Sequence, residues 1–211
     1  RRQRQMCIRD RPPKRSDVLS VFAGLRPLAA PRSEGKKTKE ISRSHKLIRE
    51  KSGLITIIGG KWTTYRKMAQ DTLDLAIRYM HIPTKDCITE RYQIHGSRKN
   101  PDFSDPLYVY GTDADEIRNL VASSPAMAEK LHPDYAYTVG EVTWLVRNEM
   151  PRTLEDVLAR RLRILFLDAR AAMAMAPKVA GILATEWGKD ETWTSAQVKA
   201  FNEVASNYIL N

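Results

Sequence analysis

The chain has 211 residues, which is enough for one large domain or two small ones. Its formal net charge is +10, but residues 1–15 hold seven Arg or Lys against one Asp, so the remainder carries only +4. Most of the positive charge lies in residues 1–15, and we interpret residues 1–11 below as a non-native leader. We therefore expect no nucleic-acid partner. The two cysteines and four histidines show no metal-ligand or disulfide spacing, and no apolar run approaches the roughly 18 residues that span a bilayer.

Residues 1–11 stand apart from the rest of the chain. They read Arg-Arg-Gln-Arg-Gln-Met-Cys-Ile-Arg-Asp-Arg, which looks like a translated sequencing-adapter read. We interpret them as a non-native leader and leave them out of the fold prediction. The alternative interpretation is a native basic arm that binds nucleic acid or a membrane.

The predicted strands lie between residues 18 and 58. Residues 18–22 are predicted to form a short buried strand, followed by a loop that carries Arg26 and a charged surface loop over 29–39. Residues 44–49 and 54–58 are predicted to form a hairpin whose second strand is buried.

A double glycine, Gly59 and Gly60, separates the second strand from a predicted amphipathic helix that begins at Lys61 or Trp62 and stops before Pro83. Its predicted apolar face holds Trp62, Tyr65, Ala69, Thr72, Ala76, Ile77 and Met80. The first N–H groups of such a helix favour negative charge, such as the N1/C2-carbonyl edge of a reduced flavin. The same pattern also fits an ordinary strand–helix connection.

Residues 83–104 are predicted to be a polar linker, and everything from residue 105 to the end is predicted to be helical. Capping residues predict helices over 114–122, after Thr138 and after Thr153, then an Ala/Met-rich helix with Pro177 near its first turn and a last helix from Thr194 or Ser195. The dense charges over 149–163 are interpreted as an ion-pair network within the chain.

Four separated segments in the same order resemble the FAD-dependent (respiratory) glycerol-3-phosphate dehydrogenase family. These are Asp17-Val-Leu-Ser-Val-Phe-Ala-Gly-Leu-Arg-Pro-Leu28, Thr38-Lys-Glu-Ile-Ser-Arg-Ser-His45, Gly59-Gly-Lys-Trp-Thr-Thr-Tyr-Arg-Lys-Met-Ala69 and Val146-Arg-Asn-Glu-Met-Pro-Arg-Thr-Leu-Glu-Asp-Val-Leu-Ala-Arg-Arg161. The family's Gly-x-Gly-x-x-Gly motif, which holds the FAD pyrophosphate, does not occur here. The resemblance therefore identifies the chain as a C-terminal fragment of such an enzyme.

The resemblance implies the fold class and the domain organisation. Residues 12–82 would be the C-terminal piece of an α/β (α+β) FAD-binding and substrate domain, and residues 105–211 an all-α C-terminal domain. The intact enzyme would be a peripheral protein on the cytoplasmic side of the inner membrane. It would oxidise sn-glycerol 3-phosphate to dihydroxyacetone phosphate and pass electrons to quinone, with a homodimer as one expected state. The fragment alone would be inactive.

The resemblance also implies roles for individual residues. Arg26, Arg43 and Lys61 would bind the substrate. The cofactor-binding residues would be Gly59, Gly60, Lys61, Trp62 and Thr63. No catalytic residue is assigned, and His45 is interpreted as structural because a lone histidine near a strand usually is. Two alternatives stay open: a related flavin oxidase that passes electrons to oxygen, and a non-catalytic helical interaction module.

Overall fold

The structure is a computed structural model that describes residues 14–25 and 44–210. Within these residues the protein is mostly helical, with one two-stranded sheet. It divides into two compact units, one formed by residues 24–25 and 44–94 and the other by residues 14–23 and 95–210. The helical character predicted for the C-terminal half is confirmed.

The smaller unit contains the predicted hairpin. Strands β1 (His45–Arg49) and β2 (Ile55–Gly59) pair antiparallel, with His45 opposite Gly59 at one end and Arg49 opposite Ile55 at the other. The prediction that the second strand is buried is wrong, because every residue of β2 is only half-buried. Among the described residues, β2 packs on one helix and pairs with one strand, so nothing completes its burial.

Helix α1 (Tyr65–Tyr79) follows a single 3-10 turn, Trp62–Thr64, and ends before Pro83 as predicted. Its predicted apolar face is partly wrong, because Trp62, Tyr65, Ala69 and Met80 are exposed. Of the predicted face, Thr72, Ala76 and Ile77 are half-buried, and Met68 and Leu75 join them. A 3-10 turn has about 3.0 residues per turn against 3.6, so Trp62 is out of phase with the faces of α1.

Residues 18–22 do not form the predicted buried strand. They run in an extended conformation along the helical unit, where the backbone oxygen of Leu19 accepts a hydrogen bond from Ala169 N–H at 3.1 Å. The hydroxyl of Ser20 donates to the Leu165 oxygen at 2.7 Å, and Val21 N–H donates to the Tyr208 oxygen at 2.8 Å. Helix-end carbonyls and amides thus take the place of a neighbouring strand.

The larger unit is built from helices in the order α2 to α7. Their bounds are α2 Ala114–Ala122, α3 Pro125–Ala128, α4 Val139–Asn148, a π-helical turn Asp156–Arg161, α5 Ile164–Leu167, α6 Ala169–Trp187 and α7 Glu191–Ser206. Short 3-10 helices cover Arg15–Asp17 and Tyr108–Asp113. The first helix and the N-cap role of Thr138, whose hydroxyl accepts from Glu141 N–H at 3.2 Å, match the predictions.

The core of the described chain lies in this unit, around α6. Helix α6 packs against α4, α5 and α7, and the small side chains of its alanines allow these neighbours to approach closely. The largest fully buried side chains include Ile117, Val142, Leu145, Leu154, Val157, Leu158, Ile164, Leu165, Met175, Val179 and Leu183. The sequence after Thr153 also predicts one apolar face made of Leu154, Val157, Leu158, Leu162, Leu165 and Phe166; the five aliphatic side chains are buried, whereas Phe166 is only half-buried.

Three predicted helix boundaries in this unit are wrong. The segment after Thr153 is not one helix, because Arg163 adopts φ 60° and separates the π-helical turn from α5. Pro177 lies inside α6 rather than near its start. Helix α7 begins at Glu191, because Asp190 rather than Thr194 or Ser195 is the N-cap and accepts a hydrogen bond from Trp193 N–H at 2.8 Å.

Candidate functional site at the double-glycine turn

The predicted strand–glycine–helix connection is present in the smaller unit. Strand β2 ends at Gly59 with φ 77°, and Gly60 follows with φ 84°. Both values lie in the left-handed region, which glycine enters without the steric cost that a Cβ imposes. Lys61 then returns to an extended conformation, and the 3-10 turn begins at Trp62.

Gly60 is also closely packed by its own unit. A Cβ added there would lie 2.5 Å from Sδ of Met68 and 3.3 Å from Cβ of His45. The space beside Gly60 is thus filled by a side chain of α1 and one of β1. The positive φ favours glycine at this position independently of any ligand, whereas the flexible Met68 side chain could move aside for a Cβ.

The start of the helix beyond this turn is open to solvent. Lys61 and Thr63 are exposed, and the Trp62 side chain is 87% exposed, with its ring centroid 5.9 Å from that of Tyr65. As the first groups of the helix, the N–H groups of Trp62 and Thr63 have no intrahelical partner. An exposed helix start with an adjacent ammonium group suits a ligand that carries negative charge.

The Thr64 hydroxyl is engaged within this turn. It accepts a hydrogen bond from Lys61 N–H at 3.2 Å and donates one to the Lys61 oxygen at 2.9 Å. These bonds hold the backbone of Lys61, while its side chain stays exposed.

A polar cluster that the sequence analysis missed lies behind the turn. Nε2 of His45 donates to Oδ2 of Asp71 at 2.8 Å, and Nζ of Lys67 lies 2.9 Å from the other carboxylate oxygen. Hydrogen bonds from Lys67 and His45 lower the pKa of Asp71 below its ordinary value. The sequence shows that Lys67 and Asp71 are four residues apart on a helix, which is the spacing of an ion pair. It does not show that His45 on β1 contacts the same carboxylate. The structural interpretation of His45 agrees with this contact.

Arg66 connects α1 to the segment that follows it. Its guanidinium donates to Oε1 of Gln70 at 3.0 Å, to the Thr89 hydroxyl at 3.1 Å and to Glu90 at 3.3 Å. Cys87 is an exposed free thiol, and its hydrogen bonds with Thr89 lower its pKa. Arg66 is therefore occupied by contacts within the chain rather than free to bind a ligand.

Two predicted substrate-binding residues, Arg26 and Arg43, lie outside the described residues. The structure therefore brings together Gly59, Gly60, Lys61, Trp62 and Thr63 of the predicted set, and these are consecutive in sequence. In residues 14–25 and 44–210, no group of three or more His, Cys, Asp or Glu side chains could hold a metal ion.

The charged stretch over 149–163 forms the predicted network within the chain. Arg160 pairs with Glu155 at 2.7 Å and with Asp156 at 3.1 Å, and Arg161 lies 3.3 Å from Glu149. Burial raises the pKa of Asp156, but hydrogen bonds from the N–H groups of Arg152 and Thr153 and from the Thr153 hydroxyl outweigh it and lower that pKa overall. These carboxylates and guanidinium groups serve the fold of the helical unit.

Comparison with known proteins identifies the family. Residues 54–194 match the family described as the C-terminal domain of alpha-glycerophosphate oxidase. The chain belongs to this family. The match begins one residue before β2, so it includes the double-glycine turn, and it continues through most of the helical unit.

Similar proteins carry glycerol-3-phosphate dehydrogenase names. The chain is 36% identical over 221 residues to "Probable glycerol-3-phosphate dehydrogenase, mitochondrial" of Caenorhabditis elegans, covering 93% of this chain and 29% of that protein. It is 32% identical over 240 residues to glycerol-3-phosphate dehydrogenase SDP6, mitochondrial, of Arabidopsis thaliana, covering 92% and 38%. It is 31% identical over 220 residues to the mitochondrial glycerol-3-phosphate dehydrogenase of Mesocricetus auratus, covering 93% and 29%.

The chain therefore spans about a third of the length of these relatives. Among the described residues, no helix combines the length and apolar character needed to cross a membrane.

Proposed function

We propose that this chain supplies the C-terminal part of an FAD-dependent glycerol-3-phosphate dehydrogenase, which oxidises sn-glycerol 3-phosphate to dihydroxyacetone phosphate. One observation carries the proposal: the family match extends over the double-glycine turn and the exposed helix start after it. Family membership and the names of the relatives support the substrate. The turn supports a flavin, because an exposed helix start with Lys61 beside it favours negative charge.

In this proposal residues 12–82 complete an α/β flavin and substrate domain, 83–104 form a linker and 105–211 form the helical C-terminal domain. When bound, FAD would accept the hydride that leaves C2 of the substrate. Gly59 and Gly60 allow the backbone to turn, while Lys61, Trp62 and Thr63 border the flavin ring system. The Lys61 ammonium would also contact a substrate oxygen.

Arg26 and Arg43 bind the substrate in this proposal. A guanidinium holds a phosphate with two parallel hydrogen bonds, which fixes its orientation as well as its charge. Arg26 would follow residues 18–25 directly. If the arginines bind the phosphate, the C2 carbon of the substrate would lie over the flavin. Lys61 would then contact an oxygen at the end of the substrate that reacts.

The proposed electron acceptor is quinone, and the second candidate is oxygen. The names of the relatives favour a dehydrogenase, whereas the family description names an oxidase. We further propose peripheral attachment to the inner membrane, on its cytoplasmic side, and a homodimer. The names of the relatives place those proteins in mitochondria, which is consistent with attachment to an inner membrane.

The alternative to an enzyme is a helical interaction module. The core around α6 is consistent with it, since the helical unit has its own set of buried side chains. The family match and the names of the relatives favour the enzyme.

The test is product formation by the chain translated together with its upstream coding sequence. With sn-glycerol 3-phosphate and a soluble quinone analogue, we expect dihydroxyacetone phosphate and reduced quinone in equal amounts. Turnover with oxygen and release of hydrogen peroxide would assign the oxidase instead. No product with either acceptor, from folded and flavin-loaded protein, would contradict the proposal.

A further inference from the structure

The double-glycine turn is held from two sides by side chains that the proposed function does not use. His45 is the register partner of Gly59 in the hairpin, and its Cβ lies 3.3 Å from the position that a Cβ on Gly60 would occupy. On the other side, Met68 of α1 contacts the same position. The turn therefore lies between β1 and the first turns of α1.

The His45–Asp71 hydrogen bond closes this arrangement. His45 side-chain exposure is 19% and that of Asp71 is 29%, and the 2.8 Å bond between them joins β1 to α1 directly. Lys67, one turn earlier on α1, holds the other oxygen of the carboxylate at 2.9 Å. The contacts run from His45 through Gly59 and Gly60 to Met68, along α1 to Asp71, and back to His45.

A closed set of contacts of this kind fixes the angle between strand and helix. The hairpin sets where β2 ends, and the His45–Asp71 bond sets where α1 begins relative to it. Gly60, Lys61 and the 3-10 turn Trp62–Thr64 connect β2 to α1, so the backbone geometry of this short segment follows from both elements. Groups that act on a ligand need this kind of support, since a small displacement weakens their electrostatic effect.

We propose that His45 and Asp71 are positioning residues: their hydrogen bond sets the direction of the N–H groups at the start of the helix toward the flavin. This inference rests on the proposed function, because the flavin is the ligand of that function. The contacts around the turn are present in the structure without any ligand. Neither residue contacts the substrate or the reacting atoms in this account. Both act through the turn.

The first test needs no flavin and uses the 211-residue chain itself. His45→Phe keeps a ring of similar size against Gly60 but cannot donate to Asp71, and Asp71→Asn keeps the size while weakening the acceptor. Hydrogen–deuterium exchange of amides 59–64 should accelerate roughly tenfold in His45→Phe and less in Asp71→Asn, because a local bond opposing opening is lost. Exchange over residues 139–206 should not change.

The matched control is Asp74→Asn, which removes an equal charge from an exposed position on the same helix. It should leave the exchange of amides 59–64 unchanged. Unchanged exchange in His45→Phe, or equal acceleration in Asp74→Asn, would overturn the inference.

The second test separates positioning from stability alone. In the flavin-loaded protein translated with its upstream coding sequence, His45→Phe, which removes no carboxylate charge, should reduce the preference for the reduced flavin by roughly tenfold, which is about 30 mV for a two-electron couple. The potential should become more negative, because misdirected N–H groups stabilise the reduced flavin less. An unchanged potential with accelerated exchange would make the pair merely structural and overturn positioning. An unsubstituted protein that binds no flavin would refute the proposed function, and exchange would then decide whether the pair holds the turn.

Discussion

The phenol of Tyr110 donates a 2.7 Å hydrogen bond to the carboxylate of Glu141, which is only 5% exposed. Burial raises the pKa of Glu141 above its ordinary value, and the bond from Tyr110 partly opposes that rise. Burial and the adjacent carboxylate also raise the pKa of Tyr110 strongly, so the phenol remains a donor. The hydrogen bond joins the 3-10 helix Tyr108–Asp113, which contains Tyr110, to α4, which contains Glu141.

Tyr110→Phe should lower the free energy of unfolding by about 1–3 kcal/mol, because a buried carboxylate loses its donor. The loss should be larger at pH 8 than at pH 5. Because the pKa of Glu141 is higher in the folded state than in the unfolded state, the fold is most stable below the unfolded pKa, where the carboxyl is protonated. This stability is lost as the pH rises through the folded pKa. The bond acts on the charged form, so its removal matters most where Glu141 is ionised. Urea unfolding at both pH values measures this, with Tyr108→Phe as the exposed control; an equal loss at both would contradict the account.

Two glycines should respond oppositely to alanine. A Cβ on Gly111, which has φ 56°, would lie 1.6 Å from the backbone oxygen of Gly96, whereas one on Gly181 meets nothing within 4 Å. We expect Gly111→Ala to destabilise the helical unit by roughly 2–5 kcal/mol through strain and displacement. Gly181→Ala, at an exposed position inside α6, should stabilise it by about 0.5–1 kcal/mol. The midpoint of thermal unfolding, Tm, should fall in Gly111→Ala and rise in Gly181→Ala. A shift of Tm in the same direction for both variants would contradict this prediction.

Truncation should show whether residues 95–104 stabilise the helical unit. Thr112 N–H donates to the Gly96 oxygen at 3.2 Å, and His95 lies 2.7 Å from Asp113, so both contacts require the residues before 105. A chain starting at residue 95 should therefore be more stable than one starting at 105, by about 1 kcal/mol or more. Denaturant unfolding of the two fragments is the measurement. Equal midpoints would contradict this expectation and support the predicted boundary at residue 105.

Arg26→Lys tests the proposed substrate contact in the flavin-loaded protein. Lysine keeps the charge but loses the two-pronged hydrogen-bonding geometry of arginine. Losing a charge-assisted hydrogen bond is worth about 1.5–3 kcal/mol, so kcat/KM should fall roughly ten- to a hundred-fold with unchanged flavin content. Steady-state kinetics should show this fall. Wild-type efficiency would refute the substrate role, and lost flavin would assign the residue to the cofactor.

Local patterns were sufficient to predict the hairpin, the glycine turn and the helical half. Alternation, two consecutive glycines and N-cap residues such as Thr138 act over a few neighbouring residues, so the sequence displays them directly. The apolar face of α1 was predicted less well, since periodicity shows which residues share a face but not how much of that face its neighbours cover, and the 3-10 turn puts Trp62 out of phase with the helix.

Long-range contacts could not be predicted in this way. Nothing near Val18 or Val21 indicates that their segment bonds to helix ends more than 140 residues away, as the Ser20–Leu165 bond does. The His45–Asp71 pair likewise depends on how β1 and α1 pack. The residues of the turn were predicted because they are consecutive, whereas their supporting residues come from two separate elements.

The most direct test of the central claim is anaerobic mixing of the flavin-loaded protein, translated with its upstream coding sequence, with sn-glycerol 3-phosphate. We expect the oxidised flavin absorbance to disappear in proportion to the substrate added, and Lys61→Met to slow this step at least tenfold while retaining the flavin. The enantiomer, sn-glycerol 1-phosphate, serves as the control. A flavin that dithionite reduces but sn-glycerol 3-phosphate does not would contradict the claim.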